Sequence, residues 1–254
     1  LPLYKVVEYS DETRGAFLEK YDLRYIVKVY DADAEGAASR EELYSYEFVK
    51  DDVTELNTDI VLNILPGNYA FRVWTDYISA DEDGDLYYNT ESFAQLALLG
   101  DEHDGSNDMR DAFSGMVESE VSSSVTKAYV DMRRPMAKFS FVTTDIDEFM
   151  ARVLAVDAAE ASSRAVILDD YYVVLRYHGF MPSSFNMFSD KPNDSRVGVS
   201  FQSSIRNMGD GEAELGFDYV FTNGAESAVN VSIEVYDYDG ELLSTFRSVN
   251  VPLL

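Results

Sequence analysis

Val229-Asn230-Val231-Ser232-Ile233-Glu234-Val235-Tyr236, followed by Asp237-Tyr238-Asp239-Gly240-Glu241-Leu242, is the stretch that decides the fold. Val229, Val231, Ile233 and Val235 alternate with Asn230, Ser232, Glu234 and Tyr236, the period-two pattern of a strand with one buried face. Asp239-Gly240 then predicts a tight two-residue hairpin, because both central positions favour positive φ. The alternation recurs upstream, where Tyr25, Val27 and Val29 oppose Arg24 and Lys28. Ile60, Leu62 and Ile64 lead through Leu65-Pro66-Gly67-Asn68 into Tyr69, Phe71 and Val73, which predicts a hairpin with a Pro-Gly turn. Further strands are predicted at residues 3–9, 43–49, 85–89, 93–98, 123–132, 136–143, 171–177, 197–202 and 216–222.

A single helix is predicted over 145–157. Ile146, Phe149, Met150, Val153 and Leu154 form one apolar stripe at helical spacing, and Thr144 and Asp145 suit its N-cap, with Glu148 completing a near capping box. A shorter helix or turn is expected around Asn107–Met116. The helix is expected to pack on a sheet through Phe149, Met150 and Val153. Arg133-Arg134-Pro135 marks the best boundary, since Pro disfavours continuity and strand runs lie on both sides. The domains are thus read as 1–133 and 134–254, each an antiparallel sandwich-like array.

Composition narrows function. The 254 residues carry 47 Asp+Glu against 20 Lys+Arg, a net charge of −27, which repels nucleic acid phosphates and anionic headgroups. With 46% hydrophobic residues, 18 Tyr and 15 Phe, the chain has enough apolar surface to fold. The absence of Cys excludes disulfides, thiolate metal sites and cysteine nucleophiles, and the two histidines, His103 and His178, cannot build a three-His zinc site. The longest charge-free stretch, Tyr177 to Ser189, falls short of the roughly 20 residues of a membrane helix. The chain opens on Leu1, which reads as a processed or trimmed start.

No motif points to catalysis. Gly209 and Gly211 lack the third glycine of a dinucleotide fingerprint, no P-loop or GxSxG elbow occurs, and no cofactor is expected. His178 beside Gly179 reads better as a core or edge histidine than as a base. The acidic runs Asp81-Glu82-Asp83-Gly84-Asp85 and Asp101-Glu102-His103-Asp104 invite calcium, but aligning Gly84 to an EF-hand puts Ser79 and Thr90 where acidic ligands belong, so a solvated surface is the preferred reading. Tyr87-Tyr88, Tyr171-Tyr172, Tyr236 and Tyr238 could form an aromatic sugar platform, although tyrosines also simply favour half-buried strands.

Several segments taken together resemble the fimbrillin-like pilus and adhesin proteins on the outer surface of Gram-negative anaerobes. They are Leu23–Tyr30, Leu65–Tyr69 with Val73–Tyr77, Arg110–Gly115, Met132–Phe139 and Gly179–Asn186, joined by Asp190-Lys191-Pro192 and the Asp239-Gly240 hairpin. The resemblance implies a mainly β protein of two transthyretin-like β-sandwich domains, the second carrying one helix and lacking its last strands. It implies a fimbrial subunit or its anchor or tip, exported as a lipoprotein to the outer membrane. Expected partners are other fimbrial subunits or itself, with host or bacterial surface ligands, no nucleic acid, and membrane contact only through a lipid anchor at the amino terminus. The alternative is a non-polymerising surface module that binds glycan or calcium; an enzyme is not expected.

The resemblance also implies cleavage in an exposed loop, for which Arg14 is the first candidate and Arg40 the second. Leu3, Val7 and Tyr9 at one end and Val249, Val251 and Leu253 at the other are alternate apolar positions of candidate assembly strands. If the amino-terminal strand leaves, a partner's extended segment could fill its groove, and a head-to-tail contact of this kind would propagate as a filament.

Overall fold

A computed structural model of the chain describes residues 20–32, 41–50, 58–82, 84–159, 167–223 and 227–253, excepting the side chains of 153–159 and 248. The protein is mainly β. In chain order the strands are β1 (Tyr21–Asp31), β2 (Glu42–Lys50), β3 (Gly67–Ser79), β4 (Tyr88–Asn89), β5 (Leu96–Leu98), β6 (Ala112–Val121) and β7 (Met136–Thr143). Helix α1 (Ile146–Ala159) follows, then β8 (Tyr172–Tyr177), β9 (Phe180–Asn186), β10 (Lys191–Val197), β11 (Ser200–Ser204), β12 (Arg206–Gly209), β13 (Glu212–Phe221), β14 (Ser227–Tyr236) and β15 (Leu242–Leu253). No helix among the described residues is long and apolar enough to cross a membrane.

The chain divides into two compact units, one containing residues through Tyr88 and Met109–Arg134, the other Asn89–Asp108 and residues from Pro135. Residues 89–108 precede the Arg133–Pro135 junction in sequence yet pack with the second unit.

The first unit is an antiparallel sheet in the order β2-β1-β3-β6. On one face Val27, Val29, Tyr69, Phe71 and Val73 form a core, covered in part by Ile60, Leu62 and Ile64 and by Val130 and Met132. The opposite face is buried too, which explains why β1 is buried at consecutive positions while β2 alternates. There Trp74, fully buried, meets the edge of Tyr88 at 5.3 Å. Arg24 makes a bidentate contact with Asp76 at 2.9 and 2.8 Å and reaches Asp85 at 2.9 Å. Burial works against the Arg24 cation, but its bonds to Asp76 and Asp85 outweigh that and raise its pKa.

Several expectations are corrected here. Residues 60–64 belong to no strand, so the Pro66-Gly67 hairpin does not form: their alternation comes from lying over a core, not from a ladder. Segment 123–132 likewise is no strand, and only Arg133 beyond it bridges, to Ser114. The shorter helix or turn expected around Asn107–Met116 is a 3-10 turn at Asp108–Arg110, and Ala112–Met116 belong to β6. Strands at 85–89 and 93–98 shrink to β4 and β5, whereas β9 and β10 lie within residues 180–197, of which only Val197 falls in a predicted strand. The turn after β14 is not a two-residue type I′: Tyr236 pairs with Leu242, the Asp237 carboxylate accepts from the amides of Asp239 and Glu241, and only Gly240 takes positive φ.

The second unit contains a sheet ordered β11-β8-β14-β15 and another ordered β12-β13-β7. Their inner side chains meet, as in the ring contact of Phe139 with Tyr177 at 6.5 Å. β9, β10 and β5 form a further antiparallel array, and Phe185 of β9 stacks on Phe221 of β13 at 5.7 Å. Helix α1 starts where the Asp145 carbonyl accepts the Phe149 amide. Its buried anchor is Ile146, at 4% exposure; Phe149 is half-buried with its ring against Tyr171 at 5.3 Å, Met150 is half-buried, and the Val153 side chain lies outside the described residues.

Candidate functional site

Two surfaces of the β11-β8-β14-β15 sheet carry the functional candidates: its β15 edge and its solvent-facing side.

β15 is twelve residues long and pairs antiparallel with β14, setting Val249 opposite Val231, Val251 opposite Val229 and Leu253 opposite Ser227. Val251 and Leu253 are buried and Val249 half-buried, so the period of two faces the core. The strand stands last in the sheet, and among the described residues it ladders with β14 alone. Thr222 donates from its hydroxyl to the Leu253 carbonyl at 3.2 Å, fixing the end of the strand. Leu3, Val7 and Tyr9, with Arg14 and Arg40, lie outside the described residues.

The outward positions follow from register. Tyr172 of β8 stands opposite Ser204 of β11 and Tyr236 of β14, which in turn stands opposite Leu242. The next row is Gln202, Val174, Glu234 and Thr245, and the one after it Ser200, Arg176 and Ser232. Tyr172 and Tyr236 stack at 5.3 Å with their planes 10° apart. The Arg176 Nε donates to Glu234 Oε2 at 3.0 Å, and the Tyr236 hydroxyl donates to the same oxygen at 2.8 Å. The Tyr236 hydroxyl, and then the Arg176 guanidinium, hold the Glu234 carboxyl below its ordinary range. The bond to Glu234 in turn raises the Tyr236 phenol and the Arg176 guanidinium above theirs.

Of the six tyrosines singled out by sequence, Tyr172 and Tyr236 come together as a stacked pair. Tyr88 and Tyr171 are buried, Tyr87 is half-buried in the other unit, and Tyr238 is exposed in the turn. His178, read as a core or edge histidine, is exposed just after the end of β8, where its amide donates to the Asn230 carbonyl.

His103 is the site sequence reading missed. Its Nε2 lies 2.6 Å from Asp218 Oδ2, which also accepts the Tyr177 hydroxyl at 2.5 Å, while Asp218 Oδ1 accepts the Tyr219 amide. Nearby Ser106 and Ser203 share a 2.7 Å bond, and the Ser106 amide donates to the Phe217 carbonyl. These bonds fasten the 103–106 loop to β13 and β11. Both serine hydroxyls are thereby engaged with each other, an arrangement that holds a loop. Among the described residues no group of three or more His, Asp or Glu side chains is placed to hold a metal. Asp85, from the first acidic run, pairs with Arg24 instead.

The chain belongs to DUF6562, a family of unknown function, whose profile matches residues 3–254. Among solved structures, a proposed polysaccharide-binding protein (DUF1812) of Bacteroides thetaiotaomicron is similar, with a TM-score of 0.53 at 11% identity, covering 88% of this chain and 72% of that one. A proposed cell adhesion protein of Bacteroides ovatus matches with a TM-score of 0.47 at 15% identity, over 90% of this chain and 78% of that one. A proposed adhesin of Bacteroides thetaiotaomicron gives 0.47 at 12%, over 91% and 74%. A search of curated proteins finds no match.

Proposed function

We propose that this protein is a non-enzymatic structural or adhesion subunit of a bacterial surface fimbria that assembles by β-strand exchange. The observation that carries the reading is β15, a long strand at a sheet edge whose alternate residues Val249, Val251 and Leu253 enter the core. Among the described residues the outer side of β15 meets no further strand, an edge of the kind that templates pairing, and alternate apolar side chains set the register of any strand added to or replaced in it. Likeness of fold to a proposed polysaccharide-binding protein supports a binding role over a catalytic one. In this reading, cleavage after Arg14 releases the segment bearing Leu3, Val7 and Tyr9, and a strand from the next subunit takes its place.

The test is to cleave after Arg14 with an Arg-specific protease and add a peptide of residues 242–253. Polymerisation, or peptide binding with thermal stabilisation of the cleaved protein, is the expected result; saturating peptide at about 100 times its Kd adds roughly 2.7 kcal/mol. A cleaved protein that stays folded, monomeric and indifferent to the peptide would sink strand exchange and leave a non-polymerising surface module.

A further inference from the structure

We infer that the solvent-facing side of the β11-β8-β14-β15 sheet binds a neutral glycan, with the sugar's C–H face on the Tyr172–Tyr236 pair and neighbouring hydroxyls read by Arg176 and Glu234. The inference rests on the adhesion reading and gives it a ligand class.

The chemistry of the face selects the ligand. A sheet face, unlike a sheet edge, has its backbone groups engaged in ladders, so an extended peptide finds no main-chain partners there and only side chains can recognise a guest. The side chains on this face are two stacked aromatic rings, a paired guanidinium and carboxylate, and the amide and hydroxyl of Gln202 and Ser200. Each tyrosine spends one ring face on the other and has its remaining face free of any further ring among the described residues. A tyrosine face is apolar with a positive ring edge and a polar tip, which suits the C–H side of a pyranose flanked by hydroxyls.

The polar groups complete the match. Arg176 and Tyr236 both donate to Oε2 of Glu234, and no hydrogen bond from a described residue reaches Oε1. A fixed acceptor therefore stands beside a fixed cationic donor. A vicinal diol needs that combination, one hydroxyl donating to the carboxylate and its neighbour accepting from the guanidinium. Ser200 lies 3.5 Å from Arg176 Nη1 and Gln202 stands in the adjoining row. Same-face positions recur about 4.8 Å apart across the strands and roughly 7 Å along them, so the groups can contact successive sugars of a linear chain.

Charge fixes the sign. The pair Arg176–Glu234 is neutral as a whole, and the surrounding protein carries −27, which disfavours uronates and sulfated glycans at long range. A neutral polysaccharide is left as the guest.

The experiment uses the uncut chain, titrated by calorimetry with gluco-, manno-, xylo- and galacto-hexaoses and with polygalacturonate. At least one neutral hexaose is expected to bind and polygalacturonate not to. Tyr236→Ala and Arg176→Ala should each weaken the neutral ligand roughly tenfold or more, a difference of about 1.4 kcal/mol. If Tyr236→Ala does not fold, Gln202→Ala and Glu234→Gln, both conservative in shape or exposed, carry the test through a measurable loss of affinity. No binding by any neutral hexaose, binding unchanged by these substitutions in folded protein, or preference for polygalacturonate would each overturn the inference. Because the uncut chain is used, those results leave strand exchange untouched, and a failure of strand exchange leaves glycan binding standing.

Discussion

Removing Asp76 should unfold the first unit far more readily than removing any surface acid, and the structure sets the size. Asp76 is fully buried and Arg24 is 2% exposed, so neither charge can be rehydrated in place. Breaking a buried pair by deleting one partner costs about 3–5 kcal/mol, because the survivor stays desolvated without its counter-charge. Asp76→Leu leaves Arg24 with Asp85, itself 28% exposed and 2.9 Å away, and belongs at the lower end, about 3 kcal/mol. Arg24→Met leaves Asp76 buried with no cation and belongs at the upper end, about 5 kcal/mol. The double variant Arg24→Met/Asp76→Leu removes both charges and should lose less than either single change. Urea unfolding followed by tryptophan fluorescence reads this unit alone, since Trp74 is the only tryptophan of the chain and is fully buried here. In melting experiments each kcal/mol should lower Tm by about 2–4 °C for a chain of this size. Single variants within about 1 kcal/mol of the parent, or a double variant equal to the sum of the singles, would refute the reasoning.

Other outcomes follow from the second unit. A Cβ on Gly105 would lie 2.4 Å from the buried Phe201 ring, so Gly105→Ala should cost about 1–3 kcal/mol by overpacking, and Phe201→Leu in the same chain should recover part of it in circular dichroism melts. Ile146→Ala should destabilise by about 2–5 kcal/mol, whereas half-buried Phe149→Ala costs less, a ranking that reverses if Phe149 is the true anchor of α1. Because folding holds the Glu234 pKa down, its contribution is complete above the ordinary glutamate pKa of about 4.3 and is lost as pH falls through the folded value; Glu234→Gln should flatten the acid limb of the stability profile there, and an identical limb would deny the effect. A fragment of residues 134–254 lacks Leu96, His103 and Ser106 and should not fold cooperatively alone; a sharp melt from it would show that the 89–108 segment is dispensable.

What could be read in the sequence follows from where water is. β14 was legible because one of its faces is wet, so apolar and polar residues alternate. β13 is buried along nearly its whole length and shows no clean alternation, which blurred its start at Glu212. β10, Lys191-Pro192-Asn193-Asp194-Ser195-Arg196-Val197, is mostly exposed and mostly polar, and its composition shows no alternation that marks a strand. Arg24 and Lys28 looked like the wet side of β1, yet both are buried, because Asp76 and Glu42 meet them there. The site divides in the same way. The Tyr172–Tyr236 pair could be suspected from tyrosine spacing, but only the register of β8 on β14 places them face to face. His103 and Asp218 are 115 residues apart, and no local pattern announces a partner at that distance.

The placement of residues 89–108 also bears on how the chain is made. Leu96 pairs with Phe185, 89 residues downstream, so at about 5–20 residues per second this segment waits roughly 4–18 s for its strand partner during synthesis. The strands of the first unit emerge well before that. Once β6 is made, the Tyr88 hydroxyl can bond to the Arg110 carbonyl, fastening together the two ends of the waiting loop. A loop already closed at its base has lost most of the entropy that closure costs, so the second unit can form around a tethered hairpin-like segment instead of capturing a free one. The order of synthesis thus favours closing the 89–108 loop before its strand partner exists, and Tyr88→Phe should slow refolding in stopped-flow circular dichroism by more than its loss of equilibrium stability accounts for; a refolding rate equal to the parent's would refute this.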